Sequence, residues 1–381
     1  MATQTLRATP GLAEQASTRM AFFVAGLGIA AWAPLVPFVK ARLGLDEATL
    51  GVILLCLGLG SLISMPISGI LAGKYGCKRV IIVASIVICI TLPILAVVNN
   101  IPLLAVTLML FGAGVGTIDV TVNTQAVIVE KASGRSMMSG FHGLYSLGGI
   151  VGPLLISAIL SLGFAPLVTS LAVALLIAAL LWRYAGDLLP YAAESDAPLF
   201  VMPRGVVIFI GVICFVCFLA EGVVLDWGAV YLFENKQAPE NFAALGYMIF
   251  SIAMTLCRFY GDRVVPKLGS KNVILFGGLI TALGFAIVVL MPFWAFSLLG
   301  FLLIGIGASN IVPIFFTVAG NQSFMPPNLA IAAVTLMGYG GILLGPALVG
   351  FIANATSLSV SLMVIAAGML FVASSWKVAV K

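Results

Sequence analysis

Residues 79–98 read RVIIVASIVICITLPILAVV, so nineteen residues follow Arg79 without a charge. As a helix rising 1.5 Å per residue, that run is about 29 Å long, the thickness of a bilayer's hydrocarbon core. Its apolar residues are continuous and do not alternate, which suits a membrane-spanning helix and not a barrel strand. Working outward, comparable runs recur at 20–39, 48–72, 102–128, 137–162 and 165–184. After a polar segment come 205–232, 241–261, 273–291, 293–321, 329–353 and 357–376. The spacing predicts an all-α polytopic membrane protein of twelve transmembrane helices in two six-helix bundles. The expected organisation is 1–186 for the N-terminal bundle, 187–204 for a linker and 205–381 for the C-terminal bundle.

Composition agrees. Of 381 residues, 62% are apolar and 8% are charged, where a soluble chain is about a quarter charged. Too little polar side chain exists to cover a globule, which excludes a water-soluble enzyme. Six cysteines lie at 56, 77, 89, 214, 217 and 257. Cys214 and Cys217 form a C-x-x-C, but its apolar flanks read as buried small hydrophobes and not as a metal or redox centre. No cofactor is implied. Residues 1–18 are polar and no small-residue cleavage site follows the first apolar run, so that run reads as an uncleaved span.

Basic residues orient the spans. With the N-terminus inside, fifteen of the eighteen lie on the cytoplasmic side, Arg258 among them, and only Lys40, Arg42 and Lys236 lie outside. The net charge of +5 then reflects topology and attraction to anionic lipid, not nucleic-acid binding.

The halves repeat. A shift of 193 residues carries Lys74-Tyr75-Gly76-Cys77-Lys78 onto Lys267-Leu268-Gly269-Ser270-Lys271. The same shift carries Gly112 and Gly114 onto Gly305 and Gly307, and Gly148 and Gly152-Pro153 onto Gly341 and Gly345-Pro346. Three landmarks in one register indicate a duplicated six-helix unit, an arrangement that holds solute near the bilayer midplane. Runs such as Gly112-Ala113-Gly114-Val115-Gly116 have neither the spacing nor the preceding strand of a phosphate loop, and read as close helix packing.

The turn Gly69-Ile70-Leu71-Ala72-Gly73-Lys74-Tyr75-Gly76-Cys77-Lys78-Arg79 reads either as a basic loop or as a cytoplasmic gate. It resembles the signature loop of the major facilitator superfamily. Gly69, Leu71, Lys74, Gly76, Lys78 and Arg79 fit that pattern, while Gly73 stands at its acidic position. In the second half Arg258, Asp262 and Arg263 are the candidates for an acid–base latch, since residues four apart share a helix face.

Ionisable groups at membrane depth cost about 2.5–3.5 kcal/mol or more, which makes them functional candidates. Three of the thirteen carboxylates qualify: Asp119, Glu221 and Asp226. Asp119 is followed four residues later by Asn123, a polar pair on one helix face. Glu221 reads as functional or as bonded to nearby backbone. Asp226 beside Trp227 reads as functional or interfacial. Five residues turn a helix by about 140°, so those two do not share a face. His142, the single histidine, reads as relaying a proton or binding a hydroxyl, or as packing through hydrogen bonds. Trp32, Tyr145, Asn310 and Tyr339 lie deep in their spans and suit a sugar-like solute, or pack.

Asp119-Val120-Thr121-Val122-Asn123 and Phe141-His142-Gly143-Leu144-Tyr145-Ser146-Leu147-Gly148-Gly149 resemble the fucose-permease-related branch of that superfamily. Ala220-Glu221-Gly222 with Asp226-Trp227 resembles its YbjJ and MosC-like subgroup. The resemblance implies a secondary transporter of the bacterial inner membrane, working as a monomer, with Asp119 in the place of the branch's proton-linked carboxylate. The expected activity is proton-coupled movement of a small polar, sugar-like solute. An efflux antiporter of amphipathic compounds and a transport-dead sensor are the rivals. No nucleophile, metal cluster or G-x-x-x-x-G-K-[ST] loop is present to make the chain an enzyme or an ATP-driven pump. With both termini and residues 183–204 cytoplasmic, a Ser195→Cys variant in a cysteine-free background reacts with an impermeant maleimide only after cells are opened. Labelling in intact cells reverses the orientation.

Overall fold

The structure is a computed structural model that describes residues 10–45, 47–192, 202–239, 242 and 244–378. Residues 193–201 of the expected linker, together with Arg7 and Lys381, lie outside the described residues. Among the described residues there are helices and no strands. The first half holds α1 (Leu12–Ala30), α2 (Val36–Leu43), α3 (Glu47–Tyr75), α4 (Cys77–Val97), α5 (Ile101–Ser133), α6 (Met138–Ser161) and α7 (Pro166–Tyr184). The second holds α8 (Val206–Val230), α9 (Leu245–Leu268), α10 (Ser270–Leu290), α11 (Trp294–Ala308), α12 (Ile311–Asn321), α13 (Pro327–Ala355) and α14 (Leu358–Ser374).

Among the described residues, eleven stretches are long and apolar enough to cross a membrane. In this count α1–α2 form one crossing interrupted at residues 31–35, and α11–α12 form another. The twelfth crossing is α9, 24 residues long, which carries Arg258 just past its midpoint and Asp262, Arg263 and Lys267 in its last third. The all-helical twelve-span architecture expected from hydropathy is the one observed.

The chain forms two compact units. One contains the described residues of 1–137 and 147–196, the other those of 138–146 and 197–381. Helix α6 is therefore shared: its first nine residues cluster with the second unit and the rest with the first.

Within each unit the same internal register appears. Adding 193 to Cys77–Val97 gives 270–290, the bounds of α10. In the first unit Gly112 lies so close to the Leu57 carbonyl that a Cβ would collide with it, and in the second Gly305 meets Phe250 in the same way, again 193 residues on. Gly114 against Ala84 and Gly307 against Gly277 repeat the relation. Small residues there let helix backbones touch, which is how helices pack when lipid supplies no hydrophobic drive. One landmark slips. Gly148 approaches the Phe23 carbonyl and Gly341 the Phe215 carbonyl, a shift of 192. The second half thus has one extra residue between its first and second helices.

The basic turn is shaped by the segment after α7. Gly76 has φ +82° and no room for a Cβ beside the Pro190 carbonyl. The first N–H groups of α4, which no helical carbonyl can reach, donate to this segment: Cys77 N to Tyr191 O at 3.4 Å and Lys78 N to Leu189 O at 2.8 Å. Lys78 Nζ donates to Gly186 O at 2.9 Å. Leu188, Leu189 and Ala192 are buried, so the start of the expected linker is packed into the first unit.

Two of the three basic residues at odds with the charge asymmetry have a structural task. Arg42 donates from Nε to Val98 O at 2.9 Å, from Nη2 to Leu95 O at 3.1 Å, and from Nη1 to Ala96 O. These are carbonyls at the end of α4 that no further turn satisfies. In the second unit Lys236 Nζ donates to Val289 O at 2.7 Å and Met291 O at 2.6 Å, at the end of α10. A cation at a helix C-terminus also meets the negative end of the dipole. Arg42→Gln and Lys236→Gln are each expected to destabilise the protein by about 1–2 kcal/mol, read as a lowered unfolding temperature in detergent. Unchanged melting in both variants removes the capping role.

Candidate functional site

Asp119 sits in the middle of α5, about 27 Å from Ile101 and about 21 Å from Ser133 along the axis. It is 9% exposed and Asn123 is 1% exposed. Asn123 Nδ2 donates to the backbone carbonyl of Asp119 at 2.9 Å, so one amide donor expected for solute is folded back on the helix. Thr121 and Thr124 also bond back, to Thr117 O and Val120 O. Gln125, not singled out from the sequence, is fully buried. Its Nε2 donates to Thr18 Oγ1 at 2.9 Å and its Oε1 accepts from Leu189 N at 3.1 Å. Gln125 therefore ties α1, α5 and the segment after α7 together. Trp32 is buried at the break that ends α1.

The second unit contains a polar cluster built around a break. Pro313 is the third residue of α12 and has no N–H to give the carbonyl four residues earlier. That carbonyl belongs to Ser309. Arg258 of α9 fills the vacancy, with Nε donating to Ser309 O at 3.1 Å. Its Nη1 donates to Ser146 Oγ at 2.7 Å, and its Nη2 pairs with Glu221 Oε1 of α8 at 3.3 Å. The two side chains are 7% and 18% exposed, respectively. Arg258 is the one buried Lys or Arg among the described residues.

This corrects the sequence-based placement of Arg258 in a cytoplasmic latch. The apolar run ends near 261, but α9 runs on to Leu268, and the Arg258 guanidinium is buried among Ser309, Ser146 and Glu221. Asp262 is half-buried and accepts from Gly140 N at 3.0 Å, while Arg263 is exposed. In the first unit Lys74 and Arg79 are exposed, with Lys74 Nζ 5.1 Å from the Tyr75 ring centroid. Lys78 is occupied by the Gly186 carbonyl.

Asn310, in the break, donates from Nδ2 to Cys257 O at 3.2 Å and to Ser309 Oγ at 2.9 Å. Its Oδ1 is buried without a hydrogen-bond partner among the described residues. His142 is buried with its ring centroid 5.5 Å from that of Phe316, and its carbonyl accepts from Ser146 Oγ at 3.1 Å. Tyr145 is half-buried on the same segment. Tyr339 of α13 is buried edge-on to Phe218 at 6.4 Å. Asp226 is exposed near the end of α8, so the structure joins Glu221 to Arg258 and leaves Asp226 outside the cluster. Cys214 and Cys217 are fully buried in α8.

Known proteins share this sequence and architecture. The family model described as Major Facilitator Superfamily matches residues 20–328. An uncharacterised transporter of Yersinia pestis is 53% identical over 367 residues, 96% of each chain. The membrane protein MosC of Rhizobium meliloti is 30% identical over 356 residues, 93% of this chain and 87% of MosC. Among solved structures, the transporter FucP in its outward conformation is similar with a TM-score of 0.78 at 17% identity, covering 95% of this chain and 98% of FucP. The proton:xylose symporter XylE is similar with a TM-score of 0.73 at 14% identity, covering 96% and 95%. The chain belongs to the major facilitator superfamily, whose members are multi-pass membrane transporters and not enzymes.

Proposed function

We propose that this protein is a proton-coupled transporter of a small polar, sugar-like solute in the bacterial inner membrane, with Asp119 carrying the transported proton. The observation that carries the reading is the burial of that carboxylate at mid-span in α5. A carboxylate there is costly when charged, so it crosses the membrane with a proton and gives the proton up when its side opens to the more alkaline compartment. Similar folds are found in a fucose:proton symporter and a proton:xylose symporter, which supports the choice of proton and sugar. In this reading the bundles 1–186 and 205–381, joined by 187–204, alternate access as a monomer with both termini cytoplasmic. Glu221 is the second candidate for proton coupling, and Trp32, Asn123, His142, Tyr145, Asn310 and Tyr339 are the candidates to meet solute.

Asp119→Asn keeps the shape of the protonated acid. The variant is expected to bind and exchange solute like wild type in proteoliposomes, while proton-driven accumulation falls to equilibrium with the outside. Wild-type accumulation against a gradient by Asp119→Asn removes Asp119 as the coupling group.

A further inference from the structure

The Glu221–Arg258 pair is built loosely for an internal strut. A buried ion pair survives desolvation only with excellent geometry, yet this one has a single 3.3 Å contact, where tight charge-assisted bonds are about 2.7–2.9 Å and often two-pronged. The guanidinium does not depend on Glu221 for its position, because Ser309 O and Ser146 Oγ already hold Nε and Nη1. Nη1 and Nη2 carry two hydrogens each, and one on each is used among the described residues. Arg258 is thus fixed with donors to spare, and Glu221 is the more exposed partner.

Resting on the reading of the chain as a transporter of a sugar-like solute, we propose that the solute is a small polyhydroxylated acid, whose carboxylate displaces Glu221 from Arg258. A neutral hydroxyl in place of Glu221 leaves a buried guanidinium without a counter-charge, which is costly, and a cation is repelled. The charges balance if Glu221 takes a proton as it leaves. The Glu221⁻–Arg258⁺ contact breaks, a solute-carboxylate–Arg258⁺ contact forms, and the proton rests on Glu221. The titratable groups around the pair are His142 on α6, which feels Arg258, and Cys214 and Cys217 on α8, which feel Glu221. Of these, His142 is the rival proton acceptor.

The test uses the purified full chain with D-glucuronate, D-gluconate, D-glucose and D-glucosamine as probes. The two acids are expected to raise the unfolding temperature, and glucose and glucosamine are not. Calorimetry of glucuronate binding in buffers of different ionisation enthalpy is expected to show uptake of a proton, with affinity falling about tenfold per pH unit once Glu221 is ionised. Uptake persists in Asp119→Asn and disappears in Glu221→Gln, which binds glucuronate at alkaline pH more tightly than wild type. Uptake that persists in Glu221→Gln assigns the proton to His142 and overturns the exchange. Stabilisation by glucose equal to that by glucuronate overturns the acid and leaves the sugar-transport reading standing. Stabilisation by none of the four sinks both. If Glu221→Gln does not fold, the wild-type calorimetry decides, since binding without proton uptake is incompatible with the displacement.

Discussion

Hydrocarbon supplies no hydrogen-bond partner, so each polar group in a span must be satisfied by the protein itself. That constraint sorts the polar residues of this chain. Hydroxyls fold back onto carbonyls one turn earlier, as Ser68 does on Ser64, Ser85 on Ile81, Thr281 on Gly277 and Thr335 on Ile331. Helix ends recruit side chains: Arg42 and Lys236 close α4 and α10, and Glu130 Oε1 accepts from Met137 N at the turn before α6. Two of the three cations that the charge count puts outside are thus spent on helix carbonyls, a local structural need. Gln125 is polar, fully buried and wholly occupied with structure. Depth in the membrane alone does not make a residue functional.

The duplication separates what packing demands from what chemistry demands. Gly112 and Gly305 keep the same backbone neighbours in their own units because nothing larger fits where two helices touch, and Gly114 and Gly307 face matching carbonyls, Gly114 less tightly. The buried ionisable groups show no such symmetry. In the register of 193 residues, Asp119 corresponds to Val312 and Arg258 to Met65, both buried and apolar. Helix crossings are fixed by backbone approach and persist in both halves. Buried charge is costly to hold anywhere, and each half holds it at a different place.

Much of this was legible in the sequence. Span number and the repeat follow from the length of apolar runs and from glycine spacing, which reflect bilayer thickness and helix approach directly. The pairing of Glu221 with Arg258 was not legible, because it joins residues 37 apart on different helices and depends on depth. Hydropathy falls where charges enter the last third of α9, so the apolar run stops before the helix does. The signal that places Arg258 was present in the repeat. Gly76 ends α3 and its counterpart Gly269 ends α9, and counted back from that turn Arg258 is eleven residues inside. The use of Gly76 and Lys78 to hold the segment after α7 had no sequence signal, since it requires a chain more than a hundred residues away to return to the turn.

Pro313 sets the order of events in the second unit. In the first unit its counterpart is Val120, which has an N–H to give, and α5 runs unbroken from Ile101 to Ser133 past Asp119. In the second unit the missing N–H leaves the Ser309 carbonyl open in a span where water is scarce. A guanidinium with five donors on a long side chain reaches it from α9 and still has donors left. That cation then requires a counter-charge, and Glu221 on α8 supplies it at 3.3 Å. The buried charge of this unit is thus a consequence of one imino acid acting through one carbonyl. The pair forms beside the break between α11 and α12, whereas the continuous helix of the other unit carries Asp119 on a backbone that needs no cation to complete it.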